Sequence, residues 1–255
     1  MSKKVLAIVT LLTIVLCLIP SGDVQAAYSM SPTQGVVGLE ITLSGLSDGI
    51  AYDIKWDDNS IKQGTAGSTG NVSFFVPESY GGEHTVKLEQ PSGSQVFSGT
   101  YTVLPYIAID PSFGSTGTTI TVAGRGFGVS EKNVAITYDG INVISGITAD
   151  SNGSWSTSFA APASARGSHS IDASGDVTKG TDIADKTFSV SPIVKMDPTS
   201  GGVGTVVTLT ASGFTTVEGG IKVLYSDTEV RSGITADVSG VWSTSFAVPG
   251  SIRGE

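Results

Sequence analysis

One cysteine occurs in 255 residues, and that one, Cys17, lies in an apolar run near the start. The chain beyond that run has no disulfide framework, thiolate nucleophile or cysteine metal ligand. Charge is sparse, at 15% of residues, and basic side chains are few: 14 Lys and Arg stand against 23 Asp and Glu, for a net charge of −9. That balance excludes recognition of nucleic acid through its phosphates and attraction to anionic lipid. Only one long hydrophobic run exists, Val5 to Ile19, broken by Thr10 and Thr13. It is shorter than the about 20 residues a membrane span needs. Lys3 and Lys4 precede it, and Val24-Gln25-Ala26 supplies small residues for cleavage. Residues 1–26 are therefore predicted to be a secretory signal peptide. Leu16 is not the small residue a lipoprotein cysteine needs before it. Export to the outside or the cell surface follows, with membrane attachment only through this segment or through an anchor further on.

What remains is rich in turn and strand formers. The chain carries 33 glycines and many Ser and Thr residues, with apolar residues alternating over most of its length. This pattern predicts an all-β protein and not a disordered one. It is also repetitive. Gly146 to Pro162, GITADSNGSWSTSFAAP, returns 87 residues later as GITADVSGVWSTSFAVP, Gly233 to Pro249. The same offset relates DPSFGSTGTTITVAGRGF, Asp110 to Phe127, to DPTSGGVGTVVTLTASGF, Asp197 to Phe214. A weaker copy, SPTQGVVGLEITLSG, begins at Ser31. Units of 80 to 90 residues are too long for solenoid repeats and long enough for cores of their own. The predicted organisation is 27–105, 106–192 and 193–255. The third unit stops at Arg253-Gly254-Glu255, 24 residues short of the point where the second ends at Pro192. The expectation is that it lacks its last two strands, and that the chain is a piece of a longer protein. No Gly/Ser spacer lies between units, so a fairly stiff rod is expected.

The second unit shows seven strand-like runs: Tyr106–Asp110, Thr118–Ala123, Asn133–Tyr138, Ile141–Ile144, Ser154–Ala160, Ser168–Ala173 and Lys186–Val190. Asp139-Gly140 and Asn152-Gly153 are read as hairpin turns. Seven short strands in under 90 residues predict a tandem array of immunoglobulin-like β-sandwiches. The opening motif of the second and third units, DPxxGxxGTxxTxxxxGF, resembles that of IPT/TIG domains. The resemblance implies an immunoglobulin-like module, commonly in extracellular arrays, and no one activity. The first unit departs from the motif, with Gly38-Leu39-Glu40 for Gly-Thr and Leu46-Ser47 for Gly-Phe.

Each conspicuous residue has a structural reading. Trp155 alternates with Thr157 and Phe159, as Trp242 does with Thr244 and Phe246, opposite rows of serines. The serine face suits water, so Trp155, Phe159, Trp242 and Phe246 are predicted to fill the core and not to form a sugar-stacking platform. Trp56 alternates with Tyr52 and Ile54 and reads the same way; Val72 and Phe74 take the place of the tryptophan strand in the first unit. Asp150 and Asp237 each precede a glycine, Gly153 and Gly240, by three residues, the pattern of a type I turn. The two histidines, His84 and His169, lie in different units and are read as supports for a strand edge or turn. Asp57-Asp58-Asn59 and Asp150-Ser-Asn152-Gly153 lack the spacing of a calcium loop. No cofactor is expected, although calcium at the joints between units stays open. Gly124-Arg-Gly-Phe-Gly128 lacks the lysine of a phosphate loop, and Asn71-Val-Ser73 and Asn152-Gly-Ser154 are glycosylation sequons.

No catalytic set can be assembled, so the expectation is no enzyme. The first reading is a non-catalytic stalk, surface-layer component or adhesin, with an unknown protein or glycan partner at the cell surface. The alternative is the spacer or carbohydrate-binding region of a secreted carbohydrate-active enzyme whose catalytic domain lies beyond Glu255.

Overall fold

The computed structural model describes residues 27–250. The expected signal peptide and the stop at Arg253-Gly254-Glu255 lie outside the described residues. Strands dominate, and among the described residues the only helical element is one 3-10 turn, Gly180–Asp182. The first module holds β1 (Ser29–Ser31), β2 (Gln34–Gly35), β3 (Glu40–Ser44), β4 (Ala51–Trp56), β5 (Asn59–Thr65), β6 (Asn71–Phe75), β7 (Gly82–Glu89) and β8 (Gln95–Val103). The second holds β9 (Tyr106–Asp110), β10 (Phe113–Gly114), β11 (Thr119–Arg125), β12 (Val134–Tyr138), β13 (Ile141–Ile147), β14 (Trp155–Ala160), β15 (Gly167–Ser174) and β16 (Lys186–Val190). The third holds β17 (Ile193–Asp197), β18 (Val206–Ser212), β19 (Ile221–Tyr225), β20 (Thr228–Ile234) and β21 (Trp242–Ala247).

Each complete module is two sheets face to face. In the second, β9–β11–β14 packs against β10–β16–β15–β12–β13; the first repeats this as β1–β3–β6 and β2–β8–β7–β4–β5. The short strand after each proline leaves the first sheet and pairs in parallel with the last strand of the other, Phe113 with Ser189 and Gln34 with Thr102. Proline has no N–H for the ladder, which suits the point where the chain changes sheets. Period-two alternation sets the inner face. Ile120 and Val122 of β11 are fully buried between exposed Thr119 and Thr121, and they meet fully buried Ile136, Ile171 and Phe188 in one core cluster.

The turn at Asp139-Gly140 is a hairpin between β12 and β13, with φ of 50° and 76° at its two residues. Positive φ at both central positions is what a tight hairpin requires. The turn at Asn152-Gly153 is not a hairpin. It joins β13 to β14, which belong to different sheets. The expectation erred because an Asn-Gly step signals a reversal but not whether the strands it joins share a ladder. In the first module, β3 and β6 share five rungs where β11 and β14 share six, and buried Val72 and Phe74 line the shorter ladder.

The third module pairs β17–β18–β21 and β19–β20, with no counterpart of β15 and β16 among the described residues. Its core reflects this. Val194 of β17 is 50% exposed, whereas Ile107 at the same place in β9 is fully buried. Met196 on the same strand is 46% exposed.

Candidate functional site at the module joints

The repeated Asp–Gly turns build the joints. Asp150 Oδ1 accepts from the amides of Asn152 at 2.8 Å and Ser154 at 2.9 Å, and the Gly153 amide closes on the Asp150 carbonyl at 3.1 Å. Asp237 does the same with Ser239 at 2.8 Å, Val241 at 2.9 Å and Gly240 at 3.0 Å. Gly153 and Gly240 have φ of 71° and 69°. A Cβ on either would stand 2.1 Å from the carbonyl oxygen of Phe127 or Phe214. Glycine at the turn therefore leaves that oxygen uncovered.

Behind each of these phenylalanines lies a tryptophan. Trp155 meets Phe127 edge-on with ring centres 5.2 Å apart, and Trp242 meets Phe214 at 5.4 Å. Trp155 is 7% exposed and Trp242 6%, with Phe159 and Phe246 buried on the same strands. Trp56 is buried on β4, in a different place in its module. The indole N–H groups of all three tryptophans are buried without a hydrogen-bond partner. Gly124 gives Trp155 its room, since a Cβ there would lie 2.2 Å from the indole.

The uncovered carbonyls reach the preceding module. The Gly81 amide donates to the Phe127 carbonyl at 2.8 Å, and the Arg166 amide donates to the Phe214 carbonyl at 3.0 Å. Gly81 and Arg166 occupy the same position, three residues before His84 and His169. The linkers are two residues each, Leu104-Pro105 and Ser191-Pro192. Gly126 and Gly213 sit against them, with φ of 69° and 73°; a Cβ on either would be 2.7 Å from the linker carbonyl of Leu104 or Ser191. The Gly-Phe step that ends the opening motif is thus the contact surface of the joint. In the first module the equivalent step is Gly45-Leu46, one residue before the Leu46-Ser47 read from the sequence, because the Leu46 amide donates to the Gly70 carbonyl as the Phe127 amide does to that of Gly153; no described module precedes it.

Side chains differ between the joints. At the first, Arg125 pairs with Glu78, which also accepts from Ser154 Oγ at 3.2 Å. A cleft of about 510 Å³ opens beside them, lined by Gly124, Asp150, Asn152 and Trp155 among others. At the second, Ala163 and Ser212 occupy the Glu78 and Arg125 positions, and Ser212 hydrogen-bonds Thr116. Among the described residues, no three His, Cys, Asp or Glu side chains gather as metal ligands would.

Three further polar groups, Glu131, His84 and His169, are held by hydrogen bonds within their own modules. Buried Glu131 accepts from the amides of Gly128 at 2.7 Å, Val177 at 2.8 Å and Thr178 at 2.7 Å, and from Thr178 Oγ1 at 2.7 Å. Burial pushes its carboxyl up, but these bonds outweigh burial and hold it below its ordinary range. His84 Nδ1 lies 2.6 Å from Asp57 Oδ2 and its Nε2 lies 2.9 Å from the Tyr80 carbonyl. His169 repeats this with Asp139 at 2.6 Å and the Ala165 carbonyl at 2.8 Å. Asp58 of the same acidic stretch pairs with Lys87 at 2.5 Å. Sequence reasoning missed the joint bonds because they are made by backbone groups. The one available signal was positional: His84 follows Pro77 by seven residues, as His169 follows Pro162.

The fold and joints define a class, a tandem array of immunoglobulin-like sandwiches docked end to end. Residues 107–188, the second module, match the family model of the IPT/TIG domain. No curated protein matches the chain. Among solved structures, the chain is similar to the D0–D1 domain of intimin at 12% identity and a TM-score of 0.27, over 65% of this chain and 98% of that one. It is similar to SGBP-B of the Bacteroides ovatus mixed-linkage glucan utilization locus at 12% identity and a TM-score of 0.32, over 85% of this chain and 65% of that one. Invasin, a bacterial integrin-binding protein, is matched at 11% identity and a TM-score of 0.28, over 88% of this chain and 54% of that one. The chain thus spans less than two thirds of the last two. These are likenesses of fold alone.

Proposed function

We propose that the chain is a non-catalytic, exported structural array whose modules are locked into a stiff spacer at the cell surface. The observation that carries this reading is the repeated joint: the same amide-to-carbonyl bond, two-residue linker and paired glycines recur at residues 81 and 127 and at 166 and 214. A two-residue linker has almost no slack. Export rests on the basic and apolar pattern of residues 1–26. Small-angle scattering of the chain tests stiffness: one narrow distribution of overall length supports the spacer, and a broad one typical of independent modules refutes it.

The alternative, an accessory region of a carbohydrate-active enzyme, draws on the open cleft beside Glu78, Asn152 and Trp155. Against it, Trp155 offers only 7% of its surface, too little for stacking a sugar ring. A glycan array separates the readings. Binding that disappears in Asn152→Ala, with the fold intact, would favour the accessory role.

A further inference from the structure

Each histidine holds one side of a peptide group whose other side makes the joint. The Tyr80 carbonyl faces His84 Nε2 at 2.9 Å, and the N–H of that same peptide, on Gly81, donates to Phe127 of the next module at 2.8 Å. The Ala165 carbonyl faces His169 Nε2 at 2.8 Å, and the N–H of its peptide, on Arg166, donates to Phe214 at 3.0 Å. The loops differ in sequence, SYGGEHT against SARGSHS, yet the relay is the same. We propose that His84 and His169 are proton-dependent latches that hold these peptides in place and so set the stiffness of the two joints. The proposal rests on the spacer reading, since it concerns the same joints.

Both ring nitrogens face acceptors. A carbonyl oxygen cannot donate, and a carboxylate can only accept. Asp57 and Asp139 already accept on Oδ1 from the amides of Thr85 and Ser170, each at 2.9 Å. Satisfying both contacts therefore needs one proton more than a neutral ring beside a carboxylate supplies. When that proton leaves, the carboxylate retains the N–H on Nδ1, because a charged acceptor binds it more strongly than a carbonyl does. Nε2 is then a bare lone pair facing the carbonyl oxygen, and the contact turns repulsive. Histidine is the side chain that changes charge between about pH 5 and 8.

The surroundings present few other charges. His84 stacks on Trp56 with ring centres 5.0 Å apart, lies 4.5 Å from the Tyr80 ring and is paired across the ladder with Tyr101. His169 stacks on Tyr138 at 5.1 Å and is paired across the ladder with Phe188. The phenols of Tyr101 and Tyr138 are pushed up by burial, so they stay neutral through this range. Asp57 and Asp139 are the charged partners.

The test uses the full chain between pH 5.5 and 8.5. The probes are nitrogen NMR of the imidazoles, amide-exchange protection at Gly81 and Arg166, and small-angle scattering. Loss of the Nε2 proton should lower protection at both amides about tenfold and broaden the length distribution. Asp57→Asn with Asp139→Asn supplies the decisive control. An asparagine N–H donates to Nδ1, so a neutral ring carries its proton on Nε2 and keeps the carbonyl bond. In that double variant protection should stay high across the range. A simple structural role for the aspartates predicts the opposite, looser joints at every pH, and that outcome overturns the latch. Rings that do not titrate, or that titrate with protection unchanged, also overturn it. A chain equally stiff at both ends of the range leaves the spacer reading intact and removes the latch. A chain flexible at both removes the spacer reading itself.

Discussion

The amide of Gly81, in the first module, donates to the carbonyl of Phe127, in the second, across 2.8 Å. Phe127 is fully buried in its own core, so the acceptor is fixed by the packing of one module and the donor by a loop of another. A direct bond between two rigid bodies restricts their relative rotation more than linker composition could. Arg166 and Phe214 repeat it.

The turn glycines should be the most sensitive positions for this contact. Alanine at Gly153 or Gly240 needs a positive φ that L residues adopt with strain, and its Cβ would collide with the Phe127 or Phe214 oxygen. Gly153→Ala is expected to destabilise the second module by about 1–3 kcal/mol. It should also free the joint, because the acceptor itself must move. Urea unfolding and small-angle scattering measure the two effects, and an unchanged length distribution would count against the joint's role in stiffness.

Removing the indole behind the joint should act through the core. Trp155→Ala or Trp242→Ala is expected to cost about 3–5 kcal/mol in its own module. Trp155→Phe should cost much less, since it keeps ring contact with Phe127 and removes an N–H that has no partner. Loss of stability from Trp155→Phe equal to that of the alanine variant would mean that this N–H is bonded in solution.

Much of this was legible because strands declare themselves by alternation. Trp155, Thr157 and Phe159 share a face in sequence and turn that face inward in space. The 87-residue offset likewise pointed to whole copied units, and each has its own core cluster. The joint was not legible, for a physical reason. Its donors and acceptors are the amide of Gly81 and the carbonyl of Phe127, groups that every residue carries. Side-chain type reveals only where a Cβ is forbidden; Gly153 and Gly240 read simply as turns, and Gly126 and Gly213 only as the end of a motif. The Asp139–His169 pair is 30 residues apart along the chain, and only the β12–β15 ladder brings the two together.

Acid should loosen the second module through Glu131. Its carboxyl is held below the ordinary range by three amides and one hydroxyl. A depressed folded-state value means that the stabilisation is fully present above the unfolded-state value and is lost as pH falls through the folded one. Stability should therefore decline below about pH 4. Glu131→Gln sets an amide N–H against at least one backbone N–H and is expected to cost about 2–4 kcal/mol at neutral pH. It should also flatten the acid slope. Urea midpoints from pH 3 to 7 provide the check, and an equally steep slope in the variant would place the acid sensitivity elsewhere.

The Arg125–Glu78 pair should contribute little by comparison. Both side chains are nearly half exposed, and exposed ion pairs are worth about 0–1 kcal/mol and weaken with salt. The second joint keeps its backbone bond with Ala163 and Ser212 at those two positions. Arg125→Ala is therefore expected to change the stability of the second module by less than about 1 kcal/mol and to leave the overall length unchanged. The length of the wild-type chain should also be the same at low and high salt. A rod that collapses on adding salt would show that charge holds the first joint, and would separate it mechanically from the second.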